Sequence, residues 1–379
     1  MNYRALEWKN LSVRALLGIF CQSGANIPEY HAMLRMTDAT YDAGSQHERI
    51  EAAVGLLLEQ LPGVEIVWRR YFVGDLAGQH PFIPGKQSGT AVSVVQQPPP
   101  DGSMVALWLY LIPKGFLSER GQATIVTHSD YRHLFHTQIH ASVAGEAEQT
   151  ELVFGQYIGL LSAEGCTLAG NCMRTWVFVH DIDTHYAGMV AARRACFARE
   201  DLTKDTHFIA STGIEGKYKN ADTLVFMDAY AVDGLQPGQI RYLRAPTHLN
   251  PTHEYGVTFE RGVAIQYGDR RHIFISGTAS INNRGEIVHP SDVMKQAGRM
   301  WENITTLLSE ADADADDIAC MIVYLRNITD YRVIDDWLAK TCPHVPKVIA
   351  WAPVCRPGWL IEAECMAVTA TKDERFAAF

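Results

Sequence analysis

The chain has 379 residues, 47% hydrophobic and 20% charged, with 33 Lys and Arg against 43 Asp and Glu for a formal net charge of −10. That apolar fraction excludes a disordered chain, and an acidic balance with no run of more than two basic residues disfavours a nucleic-acid binder. Small acidic substrates stay open, because a local Arg cluster binds an anion whatever the net charge.

No stretch of about 18 apolar residues occurs, so no membrane span is predicted. The opening Met1-Asn2-Tyr3-Arg4 leads into charged residues rather than the apolar core of a secretion signal, so a cytoplasmic protein is expected. Cys21, Cys166, Cys172, Cys196, Cys320, Cys342, Cys355 and Cys365 form no CxxC pair and none sits at a zinc-like spacing from His. Reduced cysteines, no metal and no cofactor are therefore expected.

In chain order, the first predicted helix covers 47–61, with Ile50, Ala53, Val54, Leu57 and Leu58 at helical spacing. A strand at 64–68 follows, and Asp101-Gly102 turns the chain into an apolar strand at 104–111. A strand at 132–139 opens a second round: helix 148–162, strand 174–179, a second helix, a turn at 220–222 and strand 224–232. The third round has a strand at 271–278 and a helix at 291–309 with Ser291 as N-cap. Strand 321–325, another helix, the Pro357-Gly358 turn and strand 360–368 complete it.

The chain thus repeats strand, helix, strand, helix, strand three times. Side chains repeat too: Arg132-His133-Leu134-Phe135 matches Arg271-His272-Ile273-Phe274. The units fall near 1–113, 114–245 and 246–379, with 235–255 read as a linker and 371–379 as a frayed tail of the third unit. Aligning the closing strands sets Glu362 against Phe226 and Ala106, so only the third unit keeps a carboxylate there. Leu360, Ile361 and Cys365 flank Glu362, and partial burial raises a carboxyl pKa towards that of a general acid at neutral pH.

The third unit resembles the Rid (YjgF) family in Phe274-Ile275-Ser276-Gly277-Thr278, the helix from Ser291, Val323-Tyr324-Leu325 and Leu360-Ile361-Glu362-Ala363-Glu364. The resemblance implies an α+β fold, three Rid-like (chorismate-mutase-like) units in one chain forming a pseudo-trimer, and sites at the interfaces between units. Family members that hydrolyse imines place an Arg fifteen residues before that Glu, where this chain has Lys347. Lys does not reproduce the bidentate fork of Arg.

The chorismatase family, built on the same fold, is resembled more closely. The matching residues are Ser276-Gly277-Thr278-Ala279-Ser280-Ile281, Val354-Cys355-Arg356 ahead of Glu362, Tyr186 with Arg193 and Phe197, Ala210-Ser211-Thr212-Gly213-Ile214, and Tyr255-Gly256 with Phe259 and Arg261. The first 150 residues are less alike. This resemblance implies removal of pyruvate from chorismate or a related enol ether acid, with Glu362 as the acid. Cys355 at its position implies a hydroxybenzoate product. The candidate carboxylate-binding cations are Arg174, Arg193, Arg261 and Lys347. Tyr255 is a candidate hydroxyl donor, and Ser276 with Gly277 can present a hydroxyl and a backbone N–H to an anion.

A Rid-like enamine or imine deaminase using Lys347 and a non-catalytic small-acid-binding homologue are the alternative functions. Three units close a ring without a partner, so a monomer is expected, with further self-association open. Degeneration of units 1 and 2 implies one working site, where the third closing strand meets the second unit. By trimer symmetry, Ser276-Gly277 and Glu362 are expected to face different interfaces.

Overall fold

The computed structural model describes residues 1–22, 27–85 and 89–379, with Tyr255 described by its backbone alone. The first unit runs β1 (Asn2–Trp8), β2 (Val13–Phe20), β3 (Glu29–Met36), α1 (Ala43–Gln60), β4 (Val64–Val73), α2 (Leu76–Gln79), β5 (Ala91–Gln96) and β6 (Val105–Pro113). The second runs β7 (Leu117–Arg120), β8 (Ala123–His128), β9 (Tyr131–His140), α3 (Glu146–Ala163), α4 (Leu168–Asn171), β10 (Cys172–Val179), α5 (Ile182–Arg199), β11 (Ala210–Glu215) and β12 (Val225–Asp233). The third runs β13 (Ile240–Leu243), β14 (Gly262–Gln266), β15 (Arg270–Ala279), α6 (Val293–Glu310), β16 (Ile318–Leu325), α7 (Tyr331–Thr341), β17 (Lys347–Trp351) and β18 (Ile361–Ala370).

Each unit is a six-stranded mixed sheet with one strand order, β1-β2-β3-β6-β4-β5, β7-β8-β9-β12-β10-β11 and β13-β14-β15-β18-β16-β17. The fold is therefore α+β with three repeats in one chain. The closing strands β6, β12 and β18 lie inside their sheets and are buried almost throughout, hence their continuous apolar runs. The long helices pack on one face of each sheet, and the other faces meet in the middle of the molecule. The chain order differs from the sequence reading by an extra hairpin before each repeat and by an edge strand (β5, β11, β17) before each closing strand. Several of these strands are short or largely exposed, as in β7 and β1, and carry little periodic signal.

Four local expectations are corrected. The 235–255 stretch contains β13, which pairs with β14 as the edge of the third sheet. The second helix of unit 1 shrinks to the single turn α2. The N-cap of α6 is Asp292, whose side chain accepts from the Lys295 N–H at 3.0 Å, while Ser291 takes a left-handed φ of 64°. The tail does not fray: the Phe379 ring is buried against His128 and His272, and its N–H donates to Asp269 at 2.8 Å.

The units close into a ring. The edge strand of each packs beside the third strand of the next, β5 against β9, β11 against β15 and β17 against β3. Unit 1 approaches unit 3 so closely that a Cβ on Gly18 would overlap the carbonyl oxygen of Ala319. Trp68, Trp108 and Trp176, two from unit 1 and one from unit 2, pack with ring centroids 5.5–6.2 Å apart. Charged groups among these faces pair across the junctions. Arg70 of unit 1 meets Asp228 of unit 2 at 2.9 Å with both side chains fully buried, and Arg270 of unit 3 meets Glu29 of unit 1 at 2.6 Å. Burial opposes ionisation of Glu29, but His272 and Arg270 together hold its carboxyl well below the usual carboxylate range.

Removing one member of such a pair strands the other in the core. Arg70→Met is expected to cost about 3–5 kcal/mol, read as a drop in unfolding free energy by chemical denaturation, and the double variant Arg70→Met/Asp228→Leu should recover much of that loss.

Candidate active site

Strand register defines which positions of the three units are equivalent. Glu362 on β18 lies opposite Tyr324 on β16, Phe226 opposite Phe178, and Ala106 opposite Phe72. Two residues further on the same strand face stand Glu364, Asp228 and Trp108.

Glu362 is 4% exposed and borders a pocket of about 490 Å³, its open mouth included, between units 2 and 3. From unit 2 come Tyr186 and Arg193 on α5 and Ser211, Thr212 and Gly213 on β11; unit 3 contributes Arg261, Gly277, Cys355 and Arg356. Of the residues singled out from sequence, the structure brings Glu362, Cys355, Arg193, Arg261 and Gly277 to this one pocket. The expectation that Gly277 and Glu362 face different interfaces is corrected. β15 and β18 are antiparallel neighbours with Ala279 paired to Glu362, and a bulge between Ile275 and Thr278 turns Gly277 towards the carboxylate. A Cβ on residue 277 would overlap the Glu362 Oε1 and press on the Thr212 methyl.

The carboxyls at 362 and 364 are held differently. Glu364 pairs with Arg174 at 2.5 Å, accepts from the Trp176 indole at 2.7 Å and receives the Thr212 hydroxyl. Thr212 Oγ1 also accepts from Arg174 at 2.5 Å and from the Gly277 N–H at 2.9 Å. Burial and the neighbouring Glu364 push the Glu362 pKa up to about 8, with Arg174 and Arg261 pulling it back in part. Glu362 is therefore a protonated acid at neutral pH, in contact with a solvent-connected pocket. Burial, reinforced by Glu362, pushes the Cys355 thiol up to about 12, so it stands in the pocket as a neutral thiol. Arg261 is anchored by donating to the Asn250 carbonyl at 3.1 Å and its side-chain oxygen at 3.2 Å.

Three residues expected at the site lie elsewhere. Arg174 is committed to Glu364 behind the pocket and acts on Glu362 only through space. Ser276 is fully buried; its hydroxyl donates to the Glu260 carbonyl at 2.6 Å and accepts from the Ser211 N–H at 2.9 Å, stitching unit 3 to unit 2. Lys347 opens β17, which faces unit 1, so it lines a cavity at the junction opposite to that of Glu362. The side chain of Tyr255 lies outside the described residues. Sequence reasoning missed the roles of Thr212 and Glu364, although the alternation Glu362-Ala363-Glu364 on a strand places both carboxyls on one face. Among the described residues no cluster of three His, Cys, Asp or Glu side chains is placed to hold a metal ion. No described helix is long and apolar enough to cross a membrane.

The junction of units 1 and 2 carries other residues at the equivalent positions. There Phe226 replaces the acid and stacks on Phe178 at 4.7 Å, and Gln138 replaces Gly277, its side chain donating to the Val94 carbonyl at 3.1 Å.

Residues 260–369 match the family model of endoribonuclease L-PSP. A RutC family protein of Pyrococcus abyssi is 35% identical over 74 residues, 19% of this chain and 56% of that protein, so the match spans just over half of the relative. RutC family protein UK114 of Drosophila melanogaster is 24% identical over 114 residues, 28% of this chain and 78% of that one. A crystal structure of a chorismatase superposes with a TM-score of 0.63 at 16% identity, covering 80% of this chain and 92% of that chain, which establishes a shared fold.

Two outcomes follow from this geometry. Gly277→Ala is expected to displace the Glu362 carboxyl and to destabilise the chain by about 1–3 kcal/mol, measured by denaturation alongside ligand binding. Glu362 also sets a pH dependence. Between the ordinary value of 4.5 and about 8 the folded chain keeps a proton that the unfolded chain has lost. The stability it contributes is fully present below 4.5 and is lost as pH rises through about 8. Denaturation midpoints of the wild type should therefore fall across that window relative to Glu362→Gln; parallel profiles would contradict the raised pKa.

Proposed function

We propose that this chain, whose third unit is a Rid (YjgF) superfamily domain within a chorismatase-like fold, removes pyruvate from chorismate or a related enol ether acid. The observation that carries the reading is one buried carboxyl, protonated at neutral pH, facing a pocket that also holds two buried Arg side chains from different units. An enol ether needs a proton on carbon before its C–O bond weakens, and a substrate with two carboxylates needs two cationic anchors.

In this reading Arg193 and Arg261 hold the carboxylates and place the methylene carbon of the enolpyruvyl group against Glu362. The Glu362 O–H proton passes to that carbon, and the double bond's electrons form the new C–H bond. The resulting oxocarbenium ion is stabilised by the carboxylate left on Glu362. Water then adds to the cationic carbon, its proton returns to Glu362, and the hemiketal breaks down to pyruvate and the ring alcohol. The Gly277 N–H is held by Thr212, which fixes the bulge that leaves room for the acid. Cys355, a small neutral thiol beside Glu362, is a poor anchor for an ordered water. It therefore favours a second branch that consumes no water: Glu362 protonates the methylene carbon, the neighbouring ring hydroxyl displaces the group as pyruvate and returns its proton to Glu362, and the epoxide so formed opens with loss of a ring proton to give a hydroxybenzoate.

An imine deaminase reading is not supported, because Lys347 lines the cavity at the junction of unit 3 with unit 1, whereas Glu362, in the same unit, faces the pocket shared with unit 2. A purely binding role would be favoured by an exposed Glu362 without cations, whereas this one is buried and borders a pocket that Arg193 and Arg261 also line. The test is incubation of the protein with chorismate and enzymatic detection of pyruvate. Release is expected from the wild type, with Glu362→Gln folded but inactive. Activity should fall about tenfold per pH unit above about 8, where the acid is deprotonated. Wild-type protein without pyruvate release, or an active Glu362→Gln, overturns the reading.

A further inference from the structure

The junction of unit 3 with unit 1 carries its own counterpart of the Glu362 pocket, and it is open. The cavity there occupies about 1,040 Å³ including its mouth, between β17 and α7 of unit 3 and β2, β3 and β6 of unit 1. At the acid's position stands Ala106, paired across the sheet with Arg35. Arg35 in turn lies directly opposite Arg14 on β2. Like charges placed directly opposite on an antiparallel pair repel, and both side chains are only half exposed. Among the described residues neither guanidinium has an ion-pair or hydrogen-bond partner in the protein.

A third cation faces the same space. Lys347 donates to the carbonyls of Cys342 at 2.8 Å and Val345 at 3.2 Å, and burial, with Arg35 and Arg14 adding repulsion, pushes its pKa down. The acids at the cavity are Asp101, which accepts from Ser103 at 2.9 Å, and Asp335, which accepts from Tyr331 at 3.4 Å. The remaining wall is apolar, with Leu16, Met33, Val348 and Ile349. Three cations held together above an apolar wall, without a carboxylate bound to either Arg, have the complementarity of an anion with an apolar body.

We propose that this cavity is a second ligand site, which binds a small organic carboxylate with an apolar body and does not turn it over. The carboxylate lies between Arg14 and Arg35 and the body rests on Met33 and Val348. With Ala106 in place of a glutamic acid, the site has no proton donor at the position that Glu362 occupies. This inference stands independently of the activity assigned to the Glu362 pocket.

The experiment uses benzoate as probe, titrated by calorimetry into the full-length wild type, Arg193→Gln, and Arg193→Gln with Arg35→Gln added, so that a hydroxybenzoate-like ligand is not held by the Glu362 pocket in the two variants compared. Binding is expected in the wild type and in Arg193→Gln, and should weaken about tenfold or more when Arg35→Gln is added, where a charge-assisted contact is lost. Thermal denaturation supplies a readout that a merely structural role for Arg35 would not move in the same way. Free Arg35→Gln should melt at or above the wild type, because the Arg14–Arg35 repulsion is relieved. Benzoate should raise the midpoint of Arg193→Gln and not that of Arg193→Gln with Arg35→Gln added. Undetectable benzoate binding to the wild type, binding unchanged by Arg35→Gln, or binding lost in Arg193→Gln overturns the proposal.

Discussion

The buried pair between Arg174 of unit 2 and Glu364 of unit 3 is the contact on which the rest of the site depends. It brings a charged side chain of one sheet into the interior of the next, and it persists only because Trp176 and Thr212 complete its hydrogen bonds. Thr212 passes the constraint on through the Gly277 N–H, fixing the bulge in β15. Burial first, and the charge of Glu364 two residues away on the same face second, raise the pKa of Glu362, while Arg174 and Arg261 oppose them. The interaction that locks two units together thus also bears on the protonation state of the pocket's acid.

Quasi-threefold symmetry explains why this happens once. At the junction of units 1 and 2 Asp228 stands where Glu364 does and Ser93 where Thr212 does, but the cation comes from another position: Arg70 is the counterpart of Trp176, and Trp68 that of Arg174. That junction has an ion pair of its own, and Phe226 and Gln138 stand in place of Glu362 and Gly277. The third junction kept a cavity and lost both carboxylates, with Trp108 and Ala106 in their places. A duplicated chain frees each interface from the identity that a homotrimer imposes, and the three have become one acidic pocket, one packed seam and one basic cavity.

Much of this was legible in the sequence. The repeat, the fold class and the equivalence of Glu362 with Phe226 and Ala106 follow from turn residues and closing strands, because a strand buried on both faces leaves a long apolar run. The pairing of Arg193 and Arg261 with Glu362 rested on resemblance and on the expectation that unit 2 meets the third closing strand. The four-residue strands β7 and β13 were beyond reach, since so few residues set up no period. The placements of Lys347 and Ser276 needed three-dimensional information. Lys347 lies on the edge strand β17, which packs beside unit 1 and so turns it to the other junction, and a bulge rotates Ser276 into the core while Gly277 turns outward. The sequence places Phe379 in a frayed tail, because its burial depends on a hole lined by rings from units 2 and 3.

The most direct test of the account is the protonation state of Glu362 itself. Infrared difference spectroscopy between the wild type and Glu362→Gln at neutral pH should show the carbonyl stretch of a protonated carboxyl in the wild type, disappearing as pH rises through about 8. A carboxylate signature for Glu362 already at neutral pH would contradict the claim that the junction of units 2 and 3 holds a general acid.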